Sequence, residues 1–458
     1  MLFLSKFRVD SSANADFCSI AQELRLDLSP SRNLEYVKNF LQNFSEAVML
    51  TVRKKTQGGA FEGTEQEREI YIEELLTLEP PFFDLEYDMR PEFIHQVIKK
   101  YSKTRFILSY HNFQAIPFDL EKIYLRMQEY SVFSYKIAIM VHSAVEALQM
   151  LLFAKSHPKA SVICMGEEGS FARILGPVVG NLVGYGCLDE DEGVVPGQMK
   201  ISELVDIYRY PFLNKDTAIY GLIGDPVDKS QGHIYHNAVF RKRDKNAVYV
   251  KMRIKPEDLA NFIPLAIDMG VCGLSITMPL KEKILPFLDE VSQDAQQIGA
   301  VNTLAFRRGK ITGINTDGQG ALDAIEKKLC VRGKKIVLLG AGGAARAIAF
   351  EAKLRGADVV VLNRTVQKAQ KLAADLNCGA GGLDEIPEDY DILINCSPES
   401  MPIDPQKIRP HSCVMDIVYS PRETIFLKEA ALKNCSLIYG EEMFLNQAAR
   451  QTVFWMNP

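Results

Sequence analysis

The sequence predicts an α/β protein in which an N-terminal (β/α)8 TIM barrel is followed by a two-domain module with a Rossmann dinucleotide-binding domain. Three observations carry this expectation. Short apolar runs alternate with amphipathic stretches over the first 205 residues, a polar, proline-containing break follows at 209–218, and a strand, glycine-rich turn, helix, strand pattern starts at 334. At 458 residues the chain is long enough for two or three domains of roughly 100–250 residues each.

In the first region, candidate strands cover 20–26, 47–52, 82–87, 105–110, 134–140, 161–165 and 182–187, while 34–44, 91–102, 119–130 and 142–156 carry apolar residues at helical spacing. Near-continuous apolar strands mean a parallel sheet, and so long an unbroken series suits a barrel. Polar residues at the C-terminal ends of its strands are then the site candidates. After the break RYPFLNKDTA, strand and helix alternate again from 218 to about 317, and the pattern KKIVLLGAGGAARAIAFEAKLRGADVVVLNRT follows.

That last pattern binds a dinucleotide. Gly340, Ala341, Gly342, Gly343, Ala344 and Ala345 match G-x-G-x-x-A between a strand and a helix. Small residues there permit a tight turn and close approach of a pyrophosphate to the helix N-terminus. The next strand ends in Asn363, Arg364 and Thr365, a cation with amide and hydroxyl donors where an acidic residue would select NAD. NADP is the expected cofactor.

Upstream stand the segments SITMPLK (275–281), GAVNT (299–303) and NTDG (315–318). Lys281 and Asp317, on loops facing a nicotinamide, could protonate a carbonyl oxygen as hydride reaches its carbon; taken alone they would more often be a surface ion pair. In the barrel region, Lys136 lies among apolar β-residues, where burial lowers a lysine pKa and frees the amine for imine formation. His111, one strand-helix unit earlier, falls on the neighbouring strand end, within reach to move protons.

The elements T-x-P-x-K, GAVNT, NTDG, GAGGA and NRT, all present in order over about 218–458, closely resemble shikimate dehydrogenase. The resemblance implies that Lys281 and Asp317 are catalytic, that Thr277, Asn302 and Gln447 hold substrate hydroxyls, that Ser230 binds the carboxylate, that Tyr419 lines the pocket and that Gly440 belongs to the cofactor site. Two residues depart from the pattern: Gly232 replaces the second serine of S-x-S, and Glu442 replaces a glycine near the nicotinamide.

The strand ends ELRLD (23–27), TVR with Gly58-Gly59, DLE (84–86), Met165-Gly166 through Arg173, and Pro196-Gly197-Gln198 resemble type I 3-dehydroquinate dehydratase over about 15–205. This implies a Schiff base on Lys136, His111 as general base and acid, and substrate binding by Glu23, Arg25, Arg53, Arg173 and Gln198, with Arg173 on the carboxylate. Gln57 stands in place of the glutamate that tunes the histidine, and Val194 in place of a serine. The implied division is a barrel over 1–213, a substrate-binding domain over 214–318 completed by about 440–458, and the Rossmann domain over 319–439.

Composition narrows the partners. A formal charge of −5 with interspersed signs offers no face for nucleic acid or membrane, so small molecules are expected, here 3-dehydroquinate, 3-dehydroshikimate and shikimate. Nine scattered cysteines without a C-x-x-C pair indicate reduced thiols in the cytoplasm, and MLFLSKF is too short in apolar residues for a signal peptide. His233 and His236 lack a third ligand, so no metal is expected. The expected function is dehydration followed by NADPH-dependent reduction. The alternatives are quinate as the dehydrogenase substrate, since Gly232 removes a donor, and a barrel that acts only as a scaffold.

Overall fold

The computed structural model describes residues 1–6, 21–29, 31–44, 47–188 and 197–456. Cys18 and Val194 lie outside the described residues. Contacts group the chain into two compact units, Met1–Ile219 with Asn237–Ile254 and Asn261–Gly270, and Tyr220–His236 with Lys255–Ala260 and Val271–Pro458.

In the first unit, eight strands form one sheet: β1 (Leu2–Lys6), β2 (Ala21–Arg25), β3 (Val48–Thr51), β4 (Phe82–Glu86), β5 (Arg105–Asn112), β6 (Ser134–Met140), β7 (Ala160–Met165) and β8 (Gly184–Gly186). Their order is β7-β6-β5-β4-β3-β2-β1-β8, with parallel ladders. Side chains join the two ends of this order. Ser161 Oγ accepts from the N–H groups of Leu182 and Val183, and the Asn181 amide donates to Val162 O at 2.8 Å and accepts from Val162 N at 3.2 Å.

The seven expected strands all appear, but β1 was not among them: the segment weighed as a leader is a barrel strand. Phe3 of β1 is fully buried between Phe82 and Tyr185, at centroid distances of 5.5 and 5.8 Å. Burying such a side chain contributes about 2 kcal/mol. Two helices were also missed. Glu65–Leu76 opens on a capping box between Thr64 and Glu67, and it turns Arg68 and Glu69 inward. Arg68 pairs with Glu86 at 2.6 Å. Because this helix buries Arg68 and Glu69 beside Ile72, Leu75 and Leu76, its apolar residues alone do not trace the expected periodicity. Ser170–Val179 contains Gly176 and Pro177, which disguise it.

A second, mixed sheet has the order β10-β9-β11-β13-β14-β12, from β9 (Ala218–Gly224), β10 (Ala247–Arg253), β11 (Val271–Ile276), β12 (Glu290–Val291), β13 (Thr303–Arg307) and β14 (Lys310–Ile314). The chain's last helix, Gly440–Met456, packs on it: Trp455 Nε1 donates to Leu304 O at 2.8 Å. The ring also occupies the space where a Cβ on Gly273 would lie, 2.5 Å from that position.

The third sheet is parallel, from β15 (Lys335–Leu339), β16 (Asp358–Leu362), β17 (Gly379–Gly381), β18 (Ile392–Asn395), β19 (Cys413–Asp416) and β20 (Ser436–Ile438). Its order, β17-β16-β15-β18-β19-β20, is the doubly wound 3-2-1-4-5-6 arrangement. The glycine-rich turn after β15 therefore sits at the point where strand order reverses, which is where such sheets bind ligands.

Candidate active sites

Strand periodicity aims the barrel's polar residues inward. Lys136 on β6 is the register partner of Ser109 on β5, and Ala138 is the partner of His111, so all four share the interior face. A pocket with about 490 Å³ of empty space, the open solvent at its mouth included, is lined by all seven residues expected there: Glu23, Arg25, Arg53, His111, Lys136, Arg173 and Gln198. Gln57, Gly58, Phe113, Ala138, Ile163, Met165 and Tyr185 complete its wall.

Lys136 Nζ lies 3.1 Å from Asp84 Oδ2 and 4.1 Å from the centre of the Tyr185 ring. Burial pulls its pKa below the usual lysine range and, with repulsion from Arg53, outweighs the attraction of Asp84 and Glu23. Burial works against a charged Asp84, yet Arg53, Lys136 and the Ser109 hydroxyl outweigh it and hold the carboxyl below its ordinary range. The resulting lysine is buried and more readily neutral than a surface one.

His111 is held well below the usual histidine range by burial and by the cations Arg53, Lys136 and Arg25. Its Nδ1 contacts Arg53 Nη1 at 3.0 Å and Gln57 Oε1 at 3.2 Å; its ring lies parallel to that of Phe113. Arg173 donates from Nε to Cys164 O at 2.8 Å, while its buried Nη2 has no partner among the described residues. An uncompensated guanidinium nitrogen in a closed wall is costly, and an anion at the cavity would satisfy it. Arg25 is instead held in a two-pronged pair by Asp27, at 2.9 and 2.7 Å.

In the second unit, Lys281 Nζ and Asp317 Oδ2 are 2.5 Å apart. Asn302 Nδ2 donates to Asp317 Oδ1 at 2.8 Å and to Thr316 Oγ1 at 2.9 Å, and reaches Gln447 Oε1 at 3.4 Å. Asn302 Oδ1 in turn accepts from Thr316 N and Thr303 Oγ1. Four expected site residues thus form one network. Thr277 lies one turn before Lys281, with its N–H on Ile223 O. Ser230 accepts from the N–H of Gly232, and the Tyr419 ring packs tilted against Phe444 at 5.1 Å; no direct bond from either to the network appears among the described residues. Phe444 also meets Tyr235 at 5.9 Å, which puts Tyr419 and the helix Gly232–Lys242 against one shared ring.

The glycine-rich turn fits a nucleotide. Gly340 has φ of 119°, and a Cβ there would meet Cys396 O at 3.1 Å. At Gly342, which precedes the helix Gly343–Leu354, a Cβ would project into open space. That opening at a helix N-terminus suits a pyrophosphate. A Cβ on Gly343 would touch Lys281 at 3.5 Å, so the turn and the reacting lysine are neighbours. Arg364 is 84% exposed and lies 3.6 Å from Glu399, on the loop after β18. Gly440 packs against the carbonyl oxygens of Ile417 and Val418, leaving no room for a side chain. Glu442 Oε1 accepts from Tyr439 N at 3.2 Å. Among the described residues no cluster of three or more His, Cys, Asp or Glu could hold a metal, and no helix is long and apolar enough to cross a membrane.

Comparison with known proteins matches three family models: type I 3-dehydroquinase over residues 10–215, shikimate dehydrogenase substrate-binding domain over 222–304, and shikimate/quinate 5-dehydrogenase over 323–412. The chloroplastic bifunctional 3-dehydroquinate dehydratase/shikimate dehydrogenase of Arabidopsis thaliana is 33% identical, covering 98% of this chain and 79% of that one. The shikimate biosynthesis protein AroDE of Chlamydia pneumoniae is 34% identical over 94% of this chain and 89% of its own. The chain belongs to the bifunctional 3-dehydroquinate dehydratase/shikimate dehydrogenase family.

Its shikimate dehydrogenase half is also similar to a crystal structure of a shikimate dehydrogenase in complex with NADP+, with a TM-score of 0.52, 40% identity, and coverage of 54% of this chain and 92% of that one. The dehydratase half shows what sequence reasoning left unassigned. Asp84 pairs with both Lys136 and Arg53, and Ser109 donates to Asp84 at 2.6 Å. Their signal was a carboxylate and a hydroxyl inside the apolar strands FFDLE and RFILSYHN. In the dehydrogenase half, Thr316, Phe444 and Glu399 were likewise missed.

Proposed function

We propose that the barrel dehydrates 3-dehydroquinate to 3-dehydroshikimate at Lys136 and that the second unit reduces this product to shikimate at Lys281 and Asp317. The observation that carries the first step is the convergence on one cavity of a buried lysine, a neutral histidine and an Arg173 nitrogen with no partner among the described residues. The neutral Lys136 amine attacks the substrate ketone, and loss of water gives the imine. His111 takes the proton from the adjacent carbon and returns one to the departing hydroxyl. Hydrolysis of the imine frees the product and restores the lysine. Arg173 takes the substrate carboxylate; Glu23, Arg25, Arg53 and Gln198 order the hydroxyls.

In the dehydrogenase half, Gly340, Ala341, Gly342, Gly343 and Ala344 would hold the pyrophosphate of NADP, and Asn363, Arg364 and Thr365 its 2′-phosphate. When bound, the cofactor supplies the hydride. Lys281 donates a proton to the carbonyl oxygen, and Asp317, oriented by Asn302, keeps its ammonium aimed there. Thr277, Asn302 and Gln447 bind hydroxyls, Ser230 and Tyr419 the carboxylate end. The eight described cysteines are free thiols, in keeping with the reducing cytoplasm we propose for these reactions.

Borohydride reduction with 3-dehydroquinate is expected to leave an adduct on Lys136; an unchanged mass would leave the barrel a scaffold. Gly232 supports quinate as a second reading, because a backbone N–H bonds Ser230 Oγ where the family carries a second hydroxyl donor. Initial rates with shikimate and quinate decide between them.

A further inference from the structure

Two neighbours of His111 Nδ1 require opposite protonation of that nitrogen. Arg53 Nη1, 3.0 Å away, can only donate; Gln57 Oε1, 3.2 Å away, can only accept. The amide is not free to turn round, because the same Oε1 takes the backbone N–H of His111 at 3.0 Å, and an NH2 group there would set donor against donor. Arg53 is equally fixed. Its Nη2 pairs with Asp84 at 2.9 Å, and Nη1 also donates to Ser109 Oγ at 3.2 Å. A hydrogen bond from a charged donor is roughly twice as strong as one between neutral groups, so Arg53 prevails over Gln57.

We propose that Arg53 and Gln57 form a tautomer switch on His111. In the ligand-free protein Nδ1 accepts from Arg53 and the ring proton sits on Nε2, so Nε2 has no lone pair with which to take a proton. A ligand oxygen that accepts the Arg53 Nη1 hydrogen releases Nδ1, which then bonds through its own hydrogen to Gln57 and leaves Nε2 as the base. One proton is taken up at Nδ1 and one released at Nε2, so the ring stays neutral throughout. Burial among Arg53, Lys136 and Arg25 disfavours the imidazolium, in keeping with exchange between two neutral forms. The ligand class is a hydroxyl- or carboxylate-bearing small molecule. A glutamate at 57 would pair with Arg53 and accept from Nδ1 at once, locking the base form; Gln57 makes it conditional on ligand.

The inference rests on the role proposed for His111, but its test reads no turnover. Full-length protein labelled with 15N-histidine, with His111 assigned by His111→Gln, is observed by long-range 1H–15N correlation NMR. The expected pattern is Nε2–H without ligand and Nδ1–H with saturating quinate, which has no ketone for Lys136. Arg53→Met and Gln57→Glu are each expected to show Nδ1–H without quinate. An Nδ1–H tautomer in the ligand-free wild type overturns the proposal, as does bound quinate that leaves Nε2–H in place, or Nε2–H persisting in both folded variants. Absence of a borohydride adduct would instead defeat the dehydratase reading and leave the tautomer result standing.

Discussion

Lys136 Nζ stands 3.1 Å from Asp84 Oδ2, and the same oxygen holds Arg53 Nη2 at 2.9 Å. One buried carboxylate therefore balances two cations. Asp84→Asn removes the carboxylate that both contact directly and is expected to destabilise the barrel by about 3–5 kcal/mol, read as an earlier urea transition. It also removes the attraction that raises the lysine pKa, so borohydride trapping on Lys136 in the folded variant is expected to extend to lower pH.

Lys281 and Asp317 are 2.5 Å apart and share the network of Asn302. Lys281→Met is expected to lower kcat for 3-dehydroshikimate reduction by about 10²- to 10⁴-fold with a small change in KM. Steady-state kinetics check this, with trapping on Lys136 as the internal control. A KM effect alone would make Lys281 a binding residue.

Arg364 faces Glu399 at 3.6 Å, and both are exposed. Such a pair is worth under about 1 kcal/mol, yet it sets a carboxylate against the cation expected to take a 2′-phosphate. Glu399→Gln is expected to lower KM for NADP about twofold to fivefold and to leave that for NAD unchanged, whereas Arg364→Ser raises the NADP value. Equal effects on both cofactors would remove Arg364 from the 2′ site.

His236 is 1% exposed, packed between Tyr235 and Trp455, and burial pushes its pKa down to about 3. The unfolded chain, with a value near 6.5, binds the proton more tightly than the native state does. Stability from this group is complete above pH 6.5 and is lost as pH falls toward 3, at roughly 1.4 kcal/mol per pH unit. His236→Phe is expected to flatten the pH dependence of unfolding in that window; an unaltered slope would assign acid sensitivity to other groups.

Local pattern was enough for the alternation of strand and helix and for the glycine-rich turn with its Asn363-Arg364-Thr365 strand end, and the family resemblance named seven of the residues lining the barrel cavity. The first two are legible because periodicity and turn chemistry act over a few residues, and the third because those residues stand in short motifs that the family shares. The helix Glu65–Leu76 escaped because Arg68 and Glu69 take two of the five buried positions that would otherwise give an apolar stripe. Packing was needed to show that Leu2–Lys6 forms β1, that Asp84 is the counter-ion of Lys136, that Glu399 faces Arg364, and that Arg53 and Gln57 meet at one nitrogen of His111. Asp84 and Lys136 are 52 residues apart, and Arg53 and His111 are 58 apart. Contacts at such separations are set by barrel closure and strand register, which no local pattern encodes.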